Sequence, residues 1–225
     1  MAILNQNVNV SSMNTEEFKL LIEPFDNIIF DYGGILIDID YNRTVEAFVK
    51  LSGMEETREV YSKTKQIPIF DLIETGKISK EEFIKELGII CNTKEATTDD
   101  IMAAWCAMLG DIRSERVEFL RELRKSKRIF MLSNINIIHE EFADAYLKDR
   151  KEISDFYSLF EKIYFSHNIG FRKPEKEAFE LVISENGLDP KKTLFIDDSA
   201  GHIEGAKLCG LNTHLLTPPN SLIVS

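Results

Sequence analysis

The stretch Asn27-Ile28-Ile29-Phe30-Asp31-Tyr32-Gly33-Gly34-Ile35-Leu36-Ile37-Asp38 decides the fold. Ile28 to Phe30 is a short apolar run, the signature of a buried strand. The run ends on the carboxylate of Asp31, and two glycines follow closely. Glycine permits left-handed backbone and close approach, so the chain can turn sharply there. Asp31 is thereby expected at the carboxyl end of a buried strand, the edge where open α/β sheets bind ligands. Taken alone, the stretch is equally well a turn that happens to contain an Asp. The rest of the chain separates the two readings.

The chain has 225 residues, of which 44% are hydrophobic. That allows one domain, or one domain carrying a smaller insertion, with a sizeable core. A formal net charge of -11 argues against a nucleic-acid surface, which needs a basic patch. A site for an anionic substrate must then gather positive charge locally or bind a cation. Cys91, Cys106 and Cys209 are odd in number and far apart, and His139, His167, His202 and His214 show no metal-ligand spacing. Reduced thiols of a cytoplasmic protein are expected. No apolar run reaches membrane-spanning length. Met1 to Ser12 has neither the basic start nor the apolar core of a signal peptide.

Met1 to Met13 is polar and read as loose. Asn14 or Thr15 can cap a short helix that Pro24 separates from the first strand. From about Asn42 to Leu109 the periodicity is helical, with hardly any strand signal. Candidate helices run over Thr44–Leu51 and Ile69–Glu74. Another opens on the capping box Ser79-Lys80-Glu81-Glu82 and stops at Gly88, and Thr98 caps a fourth. Trp105 reads as a core anchor of this block. Beyond it, strands at Arg128–Leu132, Ile163–Phe165, Thr193–Ile196 and Thr213–Leu216 alternate with helices over Ser114–Lys125, His139–Arg150, Pro174–Asn186 and Ile203–Cys209. Pro218-Pro219 begins a tail. Alternation of this kind implies α/β architecture with a parallel sheet. The helical block is too long for one crossover, so it is read as an inserted cap over residues 42–109. Residues 1–41 and 110–225 form the core.

Three strands end in polar residues of complementary type: Asp31, Ser133-Asn134, and Asp197-Asp198. Lys173 sits in a loop between the last two. In a parallel sheet these ends face one edge. Carboxylates converging there repel unless a cation joins them, and oxygen ligands suit Mg²⁺. Ser133, Asn134 and Lys173 supply the donors a phosphate needs, and the helix after Asp198 adds backbone N–H groups.

In this order the residues resemble a haloacid dehalogenase (HAD) superfamily hydrolase. The four motifs match Asp31 with its turn, Ser133 after an apolar strand, Lys173 before Pro174, and Asp197-Asp198. More closely the chain is similar to the α-D-glucose-1-phosphate phosphatase-like branch. The matching pieces there are Asp38-Ile39-Asp40, Asn42-Arg43, Gly76 with Ile78-Ser79, Asn136 with His139, Arg172-Lys173-Pro174-Glu175, and Ile203-Glu204-Gly205-Ala206. The resemblance implies a Rossmann-like core with a helical cap of the C1 type, and Mg²⁺-dependent hydrolysis of small phosphate monoesters such as glucose 1-phosphate. Asp31 would be the nucleophile and form an aspartyl phosphate. Asp31, the Gly33 carbonyl, Asp197 and Asp198 would hold Mg²⁺, and Ser133, Asn134 and Lys173 the phosphoryl group, with Arg43 a candidate substrate contact.

One position departs from the superfamily pattern. Most of its phosphatases carry a second Asp two residues after the nucleophile, as general acid and base. Here that position is Gly33, as in the glucose-1-phosphate branch, so the proton donor is unassigned. Asp38 can substitute, or can simply cap a loop. A phosphomutase needs that Asp, and dehalogenases place a Tyr at Gly33's position rather than at Tyr32's, so both fit less well. A non-catalytic phosphate- or partner-binding protein is the other alternative. A small-molecule substrate, no nucleic acid or membrane partner, and a monomer or weak homo-oligomer are expected.

Overall fold

The computed structural model describes residues 15–61 and 68–216. The readings made for Met1–Met13 and Pro218-Pro219 lie outside them. Helix α1 (Thr15–Ile22) precedes β1 (Asn27–Phe30). Next come α2 (Tyr41–Ser52), a 3-10 turn over Glu55–Tyr61, α3 (Pro68–Glu74), α4 (Lys80–Ile90) and α5 (Thr98–Cys106). The chain then alternates through α6 (Ser114–Leu123), β2 (Arg128–Ser133), α7 (Ile137–Asp149), β3 (Lys162–Phe165), α8 (Ser166–Ile169), α9 (Lys176–Asn186), β4 (Thr193–Asp197), α10 (Ala200–Leu208) and β5 (Asn212–Leu215). Among the described residues, no helix is long and apolar enough to cross a membrane.

The five strands are all parallel, in the order β3-β2-β1-β4-β5. This is a Rossmann-like sheet. Its three central strands, β2, β1 and β4, are buried on both faces, and their side chains alternate between two cores. Ile28, Phe30, Ile129, Met131, Leu194 and Ile196 face the larger cluster, while Ile29, Phe130, Leu132 and Phe195 face the smaller one under α9 and α10. The chain leaves β1 for β2 on one side and later returns to β4 on the other. That reversal opens a crevice at the carboxyl ends beside β1. Phe30 is level with Met131 and with Ile196, which brings Asp31 level with Asp197.

The helices α2 to α5 join the sheet through two segments that pair with each other. Ile39 and Leu109 form an antiparallel bridge, Asp40 N–H donates to the Met108 carbonyl at 2.9 Å, and Gly110 N–H to the Asp38 carbonyl at 2.8 Å. Arg116 of α6 fixes one side of this stem. It is 1% exposed and donates to the Leu36 carbonyl at 3.0 Å and to Asp38 Oδ1 at 2.6 Å. Asp38 is therefore an anchor of the stem, and it is not among the residues lining the cavity described below.

Several element ends differ from their sequence reading, each for a local reason. Helix α2 starts before Thr44 because Asp40 caps it, accepting from Asn42 N–H at 3.0 Å. Helix α4 runs through Gly88 instead of stopping there. A Cβ on Gly88 would lie 2.9 Å from Ile101 Cδ1, so this glycine serves close approach of α5. Thr97, not Thr98, caps α5, in a reciprocal capping box with Asp100. Helix α9 starts at Lys176 because Arg172 to Glu175 forms a tight turn, Glu175 N–H donating to the Arg172 carbonyl at 2.8 Å. The Lys173–Pro174 peptide inside that turn is cis. Trp105 is buried as an anchor: it stacks on His139 of α7 with ring centroids 4.9 Å apart and packs on Phe83 at 5.0 Å.

Candidate active site

Asp31 follows β1 directly, and its N–H donates to the Ile196 carbonyl of β4 at 2.9 Å, so its backbone is held by the sheet. Its carboxylate is held too: Tyr32 N–H reaches Oδ1 at 2.7 Å, and Lys173 Nζ reaches the same oxygen at 2.7 Å. Both contacts fall on Oδ1, and among the described residues no hydrogen bond or ion pair falls on Oδ2. Lys173 is fully buried and also donates to Asp197 Oδ2 at 2.7 Å. One ammonium thus bridges the ends of two neighbouring strands.

The loop that carries Lys173 is clipped to the end of β2. Asn134 Nδ2 donates to the Lys173 carbonyl, and Lys173 N–H donates back to Asn134 Oδ1, each at 2.8 Å. Asn134 was expected against phosphate. In the structure its amide engages the Lys173 backbone at both ends, and so positions the lysine. Ser133, the last residue of β2, lines the cavity. Arg43 is exposed on the first turn of α2 and is not among the lining residues; Tyr41 takes the place at that hinge.

Asp197 is 0% exposed. Besides Lys173, its carboxylate accepts from Ser199 N–H at 2.7 Å and faces His202 Nδ1 at 3.0 Å. His202, in the first turn of α10, is a site residue that the motif reading missed. The signal available was a histidine one helical turn after Asp198. Asp198 lines the cavity on the other side, against the β1 loop.

Gly33 and Gly34 differ in what they require. A Cβ on Gly33 would meet only the Ile39 side chain, at an ordinary 3.5 Å to Cγ1 and 3.8 Å to Cδ1. Gly34 has φ +75°, and a Cβ there would lie 2.4 Å from Asp198 Oδ2. Gly34 is the glycine the turn needs. Gly34→Ala should therefore displace Asp198 and cost about 1 kcal/mol or more from the left-handed backbone alone. Thermal melts with and without Mg²⁺ check this: the variant should melt lower and gain less from the metal. An Ala variant with an unchanged metal-induced shift would show that this contact does not hold Asp198.

The cavity over these residues measures about 510 Å³. Its floor includes Asp31, Gly33, Ser133, Asn134 and Asp198. Its roof includes Tyr41, Phe70, Asp71, Glu74 and Trp105 from the helices between β1 and β2, and Arg172 and His202 stand at its side. With Asp197 and Lys173 buried just beneath, three carboxylates meet one lysine at the floor, so the charge there is negative. Burial, reinforced by Asp197 and Asp198 against the pull of Lys173, raises the Asp31 carboxyl to about 7. Burial also acts on Asp197, but Lys173 and His202 outweigh it and hold that carboxyl at about 2. An excess of buried hard oxygen donors fits a small divalent cation, whose charge would keep Asp31 ionised. Oxygens of Asp31 and Asp197 and a His202 nitrogen lie within 4.8 Å of one another.

A site of this kind, at the switch point of a parallel sheet, is built to hold a cation beside an anionic group. A family model for haloacid dehalogenase-like hydrolases matches residues 25–210. The chain belongs to that family. It is 33% identical over 83% of its length to a D-ribitol-5-phosphate phosphatase of Bacteroides thetaiotaomicron, covering 89% of that protein. A HAD family enzyme of the same organism, crystallised as a point variant with magnesium and inorganic phosphate, superposes with a TM-score of 0.79 at 31% identity. The match covers 87% of this chain and 95% of that one. The chain is thus a haloacid dehalogenase-like hydrolase.

Proposed function

We propose that this chain hydrolyses phosphate monoesters of small sugars and polyols through an aspartyl phosphate on Asp31. The observation that carries the reading is the Lys173 ammonium, buried and 2.7 Å from both Asp31 Oδ1 and Asp197 Oδ2, under a cavity of about 510 Å³. The lysine neutralises the charge that builds when a phosphate dianion meets a carboxylate, and it fixes Oδ1 so that Oδ2 faces the incoming phosphorus. Ser133 at the end of β2 donates to the phosphoryl oxygens, and Asn134 keeps the lysine loop in register. Asp31, the Gly33 carbonyl, Asp198 and, behind them, Asp197 are the residues that would hold Mg²⁺. The bound ion supplies charge to the phosphoryl oxygens. The helices α2 to α5 act as a cap that roofs the site and chooses the substrate.

The relative named for D-ribitol 5-phosphate directs attention to primary-alcohol esters, whereas the resemblance to the glucose-1-phosphate branch directs it to anomeric ones. The polar lining by Tyr41, Asp71, Glu74 and Arg172 suits either kind of polyhydroxy substrate. The test is phosphate release from ribitol 5-phosphate, glucose 1-phosphate, glucose 6-phosphate and p-nitrophenyl phosphate, in Mg²⁺ and in excess chelator. Release that requires Mg²⁺ and favours a polyol or sugar ester is expected. Release undiminished in chelator, or from none of the four, would overturn the reading. A chain that binds phosphate without releasing it would support the non-catalytic alternative.

A further inference from the structure

A primary alkoxide is a poor leaving group, so an ester such as ribitol 5-phosphate needs a proton delivered to its departing oxygen. Few groups around the cavity can deliver one. Asp31 attacks. Lys173 is locked between two carboxylates. His139 faces the Trp105 carbonyl at 3.2 Å and Asn136 at 3.2 Å, and burial holds its ring neutral. His202 is tied to Asp197. Burial pushes the Tyr41 hydroxyl up to about 12, too weak an acid for the task. Asp71, with a side chain 48% exposed, is hydrogen-bonded to Arg172 Nη1.

With Asp198 assigned to the cation, one carboxyl of the lining is left. Glu74 ends α3 and lines the same cavity as Asp31 and Ser133. Its Oε2 is buried and has no hydrogen-bond partner. Arg172 Nη2 forms an ion pair with that oxygen at 2.9 Å, without the alignment of a hydrogen bond. The groups around Glu74 are Asp71 one turn earlier on its own helix, Arg172 and Lys173 from the loop below, and Tyr41 across the cavity, with Asp31 and Asp198 beyond. Resting on the phosphatase reading above, we propose that Glu74 is the general acid and base of this site, acting from the roof in place of a carboxyl at Gly33.

In the first step Asp31 Oδ2 forms a bond to phosphorus, and the bond from phosphorus to the ester oxygen breaks. The proton of Glu74 passes to that oxygen, so the alcohol leaves neutral and Glu74 is left as carboxylate. In the second step Glu74 takes a proton from a water, whose oxygen bonds to phosphorus. The acyl phosphate opens to Asp31 carboxylate and hydrogen phosphate, and Glu74 is again protonated. Burial, opposed in part by Lys173, holds the Glu74 carboxyl at about 7, where both protonation states are available near neutrality.

The test is Glu74→Gln, which keeps shape and removes the proton. Turnover of ribitol 5-phosphate or glucose 6-phosphate should fall about 10²–10⁴-fold, the usual worth of a general acid. With p-nitrophenyl phosphate, whose leaving group needs no proton, rapid mixing should show a burst of one p-nitrophenolate per enzyme at the wild-type rate. Slow turnover should follow, because the phosphoenzyme lacks its base. Adding Gly33→Asp, which has room for its Cβ, should restore much of the lost turnover. In an active wild type, equal loss of aryl and alkyl turnover with no burst would make Glu74 structural and overturn the proposal. So would alkyl turnover that survives the change. A wild type that releases phosphate from none of these esters overturns the phosphatase reading and this one with it.

Discussion

Replacing Asp31 by Asn should abolish phosphate release, by about 10⁴-fold or more as for other covalent nucleophiles, and leave the fold standing. The amide matches the carboxylate in shape, and its oxygen can still accept from Tyr32 N–H. Lys173 keeps its other partner, Asp197, at 2.7 Å. On the proposed route, what is lost is the charge that attacks phosphorus. The same change has a signature in stability. The Asp31 carboxyl is raised from 3.8 to about 7 in the folded chain, first by burial. The folded state therefore holds this proton more tightly than the unfolded one. The stability this confers is complete below the unfolded value and is lost as pH rises through about 7. Asn has no proton to lose. In chelator, the melting temperature of the Asn variant should fall less than that of wild type between about pH 4 and pH 8. Mg²⁺ should raise the melting temperature of wild type more at the higher pH, since the metal pairs with the ionised form. Undiminished phosphate release from the Asn variant would sink the aspartyl-phosphate route.

The sheet and its site edge were legible because burial on both faces writes unbroken apolar runs, and polar residues at their ends stand out against them. Asp31, Ser133 and Asp197 each sit at such an end, and the structure brings Asp31 and Asp197 onto one lysine. Contacts made across sequence distance left no such mark. Nothing local says that Gly88 admits a neighbouring helix, or that Gly34 rather than Gly33 is pressed against Asp198. Asn134 reads as a phosphate donor until the turn at Lys173 folds back onto it. Arg43 and Tyr41 differ by two positions on one helix, and only the angle at which α2 leaves the stem decides which one meets the cavity. Glu74 was invisible for the same reason: a glutamate closing a short helix reads as solvated until another segment, here the one with Arg172, buries it.

Lys173→Met should be the most damaging single change to stability at this site. Methionine keeps most of the stem and its packing on Phe195, over whose ring the ammonium sits at 5.3 Å. The Asn134 clip binds the backbone of residue 173 and survives. Only the charge disappears, and it disappears from between two buried carboxylates. Breaking a buried ion pair on one side costs about 3–5 kcal/mol, because the partner is left uncompensated. The chain has a way to reduce that cost, which is to keep a proton on Asp31. Its carboxyl, already raised by burial and held back by Lys173, rises further once the lysine is gone. The variant should then be near wild-type stability at acid pH and lose stability steeply as pH rises, with Asp197→Asn in the same chain recovering part of the loss. Urea melts of the four members of this double-mutant cycle, in chelator at about pH 5 and pH 8, measure the coupling. Activity should stay at background even where the variant is folded, because the phosphate dianion then meets Asp31 with no ammonium beside it. A Met variant as stable as wild type at the higher pH would show that the lysine is not the counter-charge of this floor.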